Sequence, residues 1–173
     1  MHVTHGKLRS VIALPMLGIA IKYPTLPSIG HILAVLTEDI RVVLETAFQR
    51  RTENLVFPFT TAIFANWHEY TFYKRTRNPF LHPTLFSLLG IINVQPLAVP
   101  LSRDAGKHIY EALWALTTRD RTRKLLSLDV HHFFHGENFC TDQGMLRILD
   151  YSSKATQLVI RDLGDRLLNV KIE

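Results

Sequence analysis

The grouping His131-His132-Phe133-Phe134-His135, followed by Cys140, comes nearest to metal chemistry in this chain. On a helix His131 and His135 share a face, the geometry by which two imidazoles grip one zinc ion. Cys140, beyond the turn expected at Gly136, offers a thiolate, and His108 or Glu137 a fourth ligand. Structural zinc sites, however, bring paired cysteines, and the zinc-protease pattern wants a glutamate where His132 stands. The same histidines also fit the polar face of a helix opposite Leu126, Val130 and Phe133. No metal ligand and no cofactor is assigned on this pattern.

Other chemistries find less. A nucleophilic Cys140 needs an electropositive, partly exposed setting, whereas a lone cysteine beside Phe139 reads as a small core residue. The acidic residues are dispersed and nominate no acid–base pair, and serine appears in no elbow motif. Gly106-Lys107 lacks the upstream glycine and the following Ser or Thr of a phosphate-cradling loop. No catalytic residue is assigned, and the chain is not expected to be an enzyme.

The elements that must position these groups follow from periodicity. From about Ser28 to Arg50, apolar residues recur at three- and four-residue steps from Ile29 to Ala47, which predicts an amphipathic helix. Leu55 to Ala65 is β-branched and aromatic, broken by Pro58. Trp67 to Lys74 alternates, with His68, Tyr70 and Phe72 opposite Trp67, Glu69, Thr71 and Tyr73, the period of a strand. Leu85 to Leu101 reads as extended and mostly buried, bent at Gly90, Pro96 and Pro100. Ile109 to Thr117 is another expected strand. A helix follows from Thr118 or Thr122 to Gly136, with its stripe at Leu126, Val130, Phe133 and Phe134. Short strands are expected over Met145–Tyr151, Gln157–Leu163 and Arg166–Ile172, the last two joined by a hairpin at Gly164-Asp165.

Length and composition bound the answer. A chain of 173 residues, 47% hydrophobic and 20% charged, suits one ordinary globular domain, residues 1–173, with 1–27 as an arm or strand leading in. Its single cysteine excludes an internal disulfide. Lys7 and Arg9 before the apolar run Ser10–Ile21 imitate a leader, but Pro15 and Gly18 interrupt it. Asn78 to Ser102 carries no Asp, Glu, Lys or Arg, yet its four prolines make it a poor spanning helix. No membrane association is expected. The net charge of +5 favours anionic partners. Lys74-Arg75-Thr76-Arg77 and Arg119 to Lys124 are its clusters, and aromatics from Phe57 to Tyr73 lie near the first. Together they suggest bases stacked on strand aromatics beside basic side chains.

The expected order is an early helix, then the aromatic strand Trp67-His68-Glu69-Tyr70-Thr71-Phe72-Tyr73 closing in Arg77-Asn78-Pro79. A strand ending Leu113-Trp114-Ala115-Leu116-Thr117, a helix and closing hairpins follow. This layout resembles the tail-completion or terminator proteins of tailed bacteriophages, over roughly residues 28 to 172. That resemblance implies an α+β subunit without catalytic residues, a virion component assembled in the host cytoplasm as a homo-oligomeric ring with other assembly proteins. The apolar run from Pro79 to Leu101 suits a subunit contact. The expected fold is therefore α+β, one mixed or antiparallel sheet packed against two main helices, in a non-enzymatic phage connector. The alternatives are a basic nucleic-acid-binding protein using Arg75, Arg77, Arg121 and Arg123, and a small zinc hydrolase on His131, His135 and Cys140.

Overall fold

The computed structural model describes residues 2–5, 9–25 and 56–169; the helix expected from Ser28 to Arg50 lies outside them. The chain is α+β. Three strands, β1 (His2–His5), β2 (Arg9–Leu14) and β3 (Ile19–Pro24), form an antiparallel meander. Helix α1 (Val56–Thr76) follows, then β4 (Phe86–Leu88) and β5 (Ile92–Pro96). β5 inserts beside β3, giving one five-stranded antiparallel sheet in the order β1-β2-β3-β5-β4. The extended reading of Leu85 to Leu101 contains β4 and β5, but the segment is not mostly buried: Leu85, Phe86, Leu88, Leu89, Ile91 and Val99 are exposed. Leu89 and Gly90 turn the β4–β5 hairpin with positive φ at both positions (50° and 77°), the requirement of a tight turn matching strand twist. Gly90 is there for a second reason: a Cβ would lie 2.3 Å from the Ile63 carbonyl on α1.

The second half is helical around a small hairpin. Helix α2 (Ala105–Leu116) leads to α3 (Asp120–Leu128) and the short α4 (Val130–Phe134). A 3-10 turn at Gly136–Asn138 delivers the chain to β6 (Phe139–Asp142), which pairs with β7 (Met145–Ile148) as a separate two-stranded sheet. Helix α5 (Lys154–Leu163) follows, N-capped by the Ser153 hydroxyl, which accepts from the Ala155 amide. The helix expected between Thr118 and Gly136 is thus present, broken at Asp129.

Four expected strands are something else. Leu55–Ala65 and Trp67–Lys74 fall almost wholly in α1, Ile109–Leu116 lies in α2 with Thr117 as its extended cap, and Gln157–Leu163 lies in α5. Gly164 does not turn a hairpin; its amide caps α5 by donating to the Ile160 carbonyl, and Gly164–Asn169 is 3-10 helix where a last strand was expected to begin. Pro58 did not interrupt α1 because it sits in the first turn, where an N–H has no helical acceptor. The inward face of α1 is Ala62, Asn66, Glu69 and Phe72, a helical spacing hidden because two of the four are polar.

The apolar core gathers in the helical half: Phe80, Ile109, Leu113, Leu126, Phe133, Ile148 and Ile160 are all at most 1% exposed. None of its buried aliphatic or aromatic members belongs to the five-stranded sheet, whose buried side chains, Pro24 apart, are polar: Ser10, Lys22, Asn93 and Gln95. Among the described residues no helix is long and apolar enough to cross a membrane.

Candidate functional site

Those buried polar residues mark the site. Pleating turns Ala20 and Lys22 to one face of β3, and pairing sets them opposite Gln95 and Asn93 on β5. α1 packs on that face and is tied to it when Asn93 Nδ2 donates to the Asn66 carbonyl at 2.8 Å. Lys22 Nζ lies 3.4 Å from both oxygens of the fully buried Glu69 carboxylate and donates to the Leu149 carbonyl at 2.7 Å. A strand lysine is thereby fixed by a helix glutamate and by the chain segment that follows β7.

Arg9, first residue of β2, extends the cluster. Its Nη1 donates to Glu69 Oε1 (2.9 Å) and Asn66 Oδ1 (3.1 Å), and its Nη2 meets Asp150 Oδ2 at 2.6 Å. Asp150 Oδ1 accepts from the Ser152 hydroxyl at 3.0 Å and faces His132 Nε2 at 3.8 Å. His132 Nδ1 donates to Asp129 Oδ1 at 2.6 Å, and the Thr156 hydroxyl donates to Asp129 Oδ2. Next to Asp150, Tyr151 is locked by a buried relay. Gln95 Nε2 donates to Thr84 Oγ1 (2.9 Å), Thr84 to the Tyr151 hydroxyl (2.8 Å), and that hydroxyl to the His82 carbonyl (2.8 Å). The 3-10 turn bearing Glu137 and Asn138 is stitched to the same place, because the Leu149 amide donates to the Asn138 carbonyl at 2.6 Å.

Electrostatics follow from this burial. Desolvation would weaken the charge on Arg9, yet Asp150 and Glu69 outweigh it and hold the guanidinium more firmly protonated than usual. Burial pushes the Asp150 carboxyl up, but Arg9, then Lys22 and His132, hold it far below the carboxylate range. Lys22 goes the other way: burial lowers its affinity for the proton and Glu69 only partly restores it. Two basic and two acidic side chains therefore share one largely buried cluster, with Arg9 between the carboxylates and Asp150, 28% exposed, the most open of the four.

The sequence-nominated residues lie elsewhere. The rings of His131 and His135 do share a face, 4.8 Å apart edge to face, and His135 Nδ1 is 3.6 Å from Glu137 Oε2. Cys140 does not join them. It is fully buried on β6, 3.8 Å from His82 Nδ1. His82 Nε2 donates to the Pro96 carbonyl (2.9 Å), so Nδ1 carries no proton and accepts the thiol. Burial lowers the His82 pKa and pushes that of Cys140 up to about 11, the reverse of an activated thiolate. His108 is exposed on α2, and no group of three or more His, Cys, Asp or Glu among the described residues could hold a metal ion. The basic side chains do not flank a strand of aromatics: Lys74 lies over Tyr70 and Arg77 over Tyr73 at the end of α1, and Arg123 over Trp114.

Arg9, Lys22, Glu69 and Asp150 were not singled out by sequence reading. Two signals pointed to them: a lysine closing Ala20-Ile21-Lys22 in an apolar strand pattern, and His135-Gly136-Glu137-Asn138 running through a hairpin into Asp150-Tyr151-Ser152. No protein-family model, curated protein or solved structure matches this chain.

Proposed function

We propose that this chain is a nucleotide-binding module of the protein-kinase type, one that binds a nucleoside triphosphate without turning it over. The observation that carries the reading is the Lys22–Glu69 pair between strand and helix, set against Asp150 at the end of β7. In protein kinases a lysine on the third strand, in an Ala-Ile-Lys context, takes the nucleotide phosphates and is held by a glutamate on the helix that follows. A loop entered by histidine and closed by asparagine precedes a second aspartate, the first residue of Asp-Phe-Gly. Here Lys22 stands on β3, Glu69 on α1, His131 and Asn138 at the two ends of the loop with the motif's seven-residue separation, and Asp150-Tyr151-Ser152 after the hairpin.

The departures support binding over catalysis. Between β1 and β2 the chain has one glycine, Gly6, in place of a glycine-rich phosphate loop. The kinase loop separates its catalytic aspartate from the asparagine by four residues, and counting back from Asn138 puts the buried Phe133 at that position, with no acid or base there. Asn138 Nδ2 also donates to the His132 carbonyl at 3.0 Å. The connector layout drew on strands at Trp67–Tyr73 and Leu113–Thr117, where the chain is helical through Tyr73 and Leu116, so it adds nothing to this reading.

Titration calorimetry of the purified chain with ATP tests the proposal. Binding is expected, and Lys22→Met should weaken it at least about tenfold, the worth of one charge-assisted phosphate contact. Absence of ATP binding, or equal binding by a folded Lys22→Met variant, sinks it.

A further inference from the structure

Resting on the nucleotide-binding reading, we propose that Arg9 takes the place of a divalent cation at Asp150 and excludes one from it, so that nucleotide binds here without metal. In kinases the corresponding aspartate holds magnesium. The residues present do not fit that ion. Magnesium demands near-octahedral oxygen ligands at about 2.1 Å, but Asp150 Oδ2 is committed to Arg9 Nη2 at 2.6 Å, while Oδ1 accepts from Ser152 and faces His132. A dication at either oxygen would sit against a guanidinium that is permanently charged.

Arg9 is built into this position. It pairs opposite Pro24 across β2 and β3, which brings it to the edge of the Lys22 face. Its stem is covered, its side chain being 12% exposed. It bridges two carboxylates from separate elements, Glu69 on α1 and Asp150 after β7, which a compact ammonium could not span. Of its five N–H groups, two on Nη1 and one on Nη2 make these contacts among the described residues, and the planar fork is the shape that matches a phosphate oxygen. Charge balance agrees: Arg9 and Lys22 already offset Glu69 and Asp150, the work a metal performs where no such arginine exists.

The test measures ATP affinity of the full chain by calorimetry, once in EDTA and once in excess Mg2+. Equal affinity within about twofold is expected for the native chain. Arg9→Gln, which frees Asp150, should lose about tenfold in EDTA and regain affinity when Mg2+ is added. Arg9→Lys should fall between them. ATP binding that requires Mg2+ in the native chain overturns the proposal whether or not the variants fold. Metal-independent binding left unchanged by a folded Arg9→Gln variant also overturns it, by showing that Arg9 supplies nothing. No ATP binding under any condition instead removes the nucleotide reading itself, leaving the cluster as an ionic clamp between sheet and hairpin.

Discussion

His132 sits between two carboxylates, 2.6 Å from Asp129 and 3.8 Å from Asp150, with Arg9 beyond. Burial alone would lower its pKa; the hydrogen bond to Asp129 and the charge of Asp150 overcome that and raise it. Burial likewise works against Asp129, but hydrogen bonds from His132 and Thr156 bring its pKa below the usual value. The signs fix a pH window. A raised histidine contributes stability that is complete below its unfolded value of about 6.5 and fades as pH climbs through the folded value. A depressed aspartate contributes above its unfolded value of about 3.9 and fades as pH falls through the folded one. The pair is therefore strongest between about pH 4 and 6.5. Thermal midpoints should fall from pH 6 toward 8 more in the native chain than in His132→Gln; parallel curves would mean that this contact is not linked to folding. The same residue scale explains why the site was hard to read. A buried cation beside a buried anion leaves no hydropathy signature, and Lys22 and Glu69 lie 47 positions apart.

Among the elements, the loop bearing Glu137 and Asn138 is placed by a close crossing of two backbones. A Cβ on Gly136 would come within 1.8 Å of the Ser102 carbonyl, and one on Gly106 within 1.9 Å of the Phe134 carbonyl. These atoms belong to the main chain and cannot swing aside. Gly136→Ala should therefore destabilise by about 1–3 kcal/mol, as overpacking does, and move the loop away from Asp150. Chemical denaturation measures the first effect, and wild-type stability in the alanine variant would refute the crossing. Helices were legible where their inner faces were apolar, as with Leu126 and Phe133 on either side of the break at Asp129. They were misread where polar groups took inward positions. In α1, Asn66 and Glu69 stand where the helical period calls for apolar residues, so the alternating aromatics outweighed it. In α2 and α5 the inward sets Gly106-Ile109-Leu113 and Thr156-Val159-Ile160-Leu163 do have helical spacing, but short runs of apolar residues fit both periods. The strand at Met145–Ile148 was found because it alternates, with Leu146 and Ile148 inward, whereas its partner β6 was not expected.

At the scale of the molecule, the two halves are held by different forces. The helical half has the dry core, while the five-stranded sheet meets α1 and the hairpin through Arg9, Lys22, Asn93 and Gln95. The α+β class was legible from composition and the mixture of periods. The division was not, because it depends on which elements contribute core residues. It has a calorimetric consequence. The heat capacity of unfolding rises with newly wetted apolar surface and falls with newly wetted polar surface. Detaching the sheet should thus absorb heat with little change in heat capacity, whereas melting the helical half should carry most of it. In differential scanning calorimetry the sheet would leave as a shallow step whose enthalpy barely varies with temperature, ahead of a steeper transition. One transition, with a heat-capacity increment in proportion to the whole chain, would show that the ionic seam binds the halves as tightly as a greasy one.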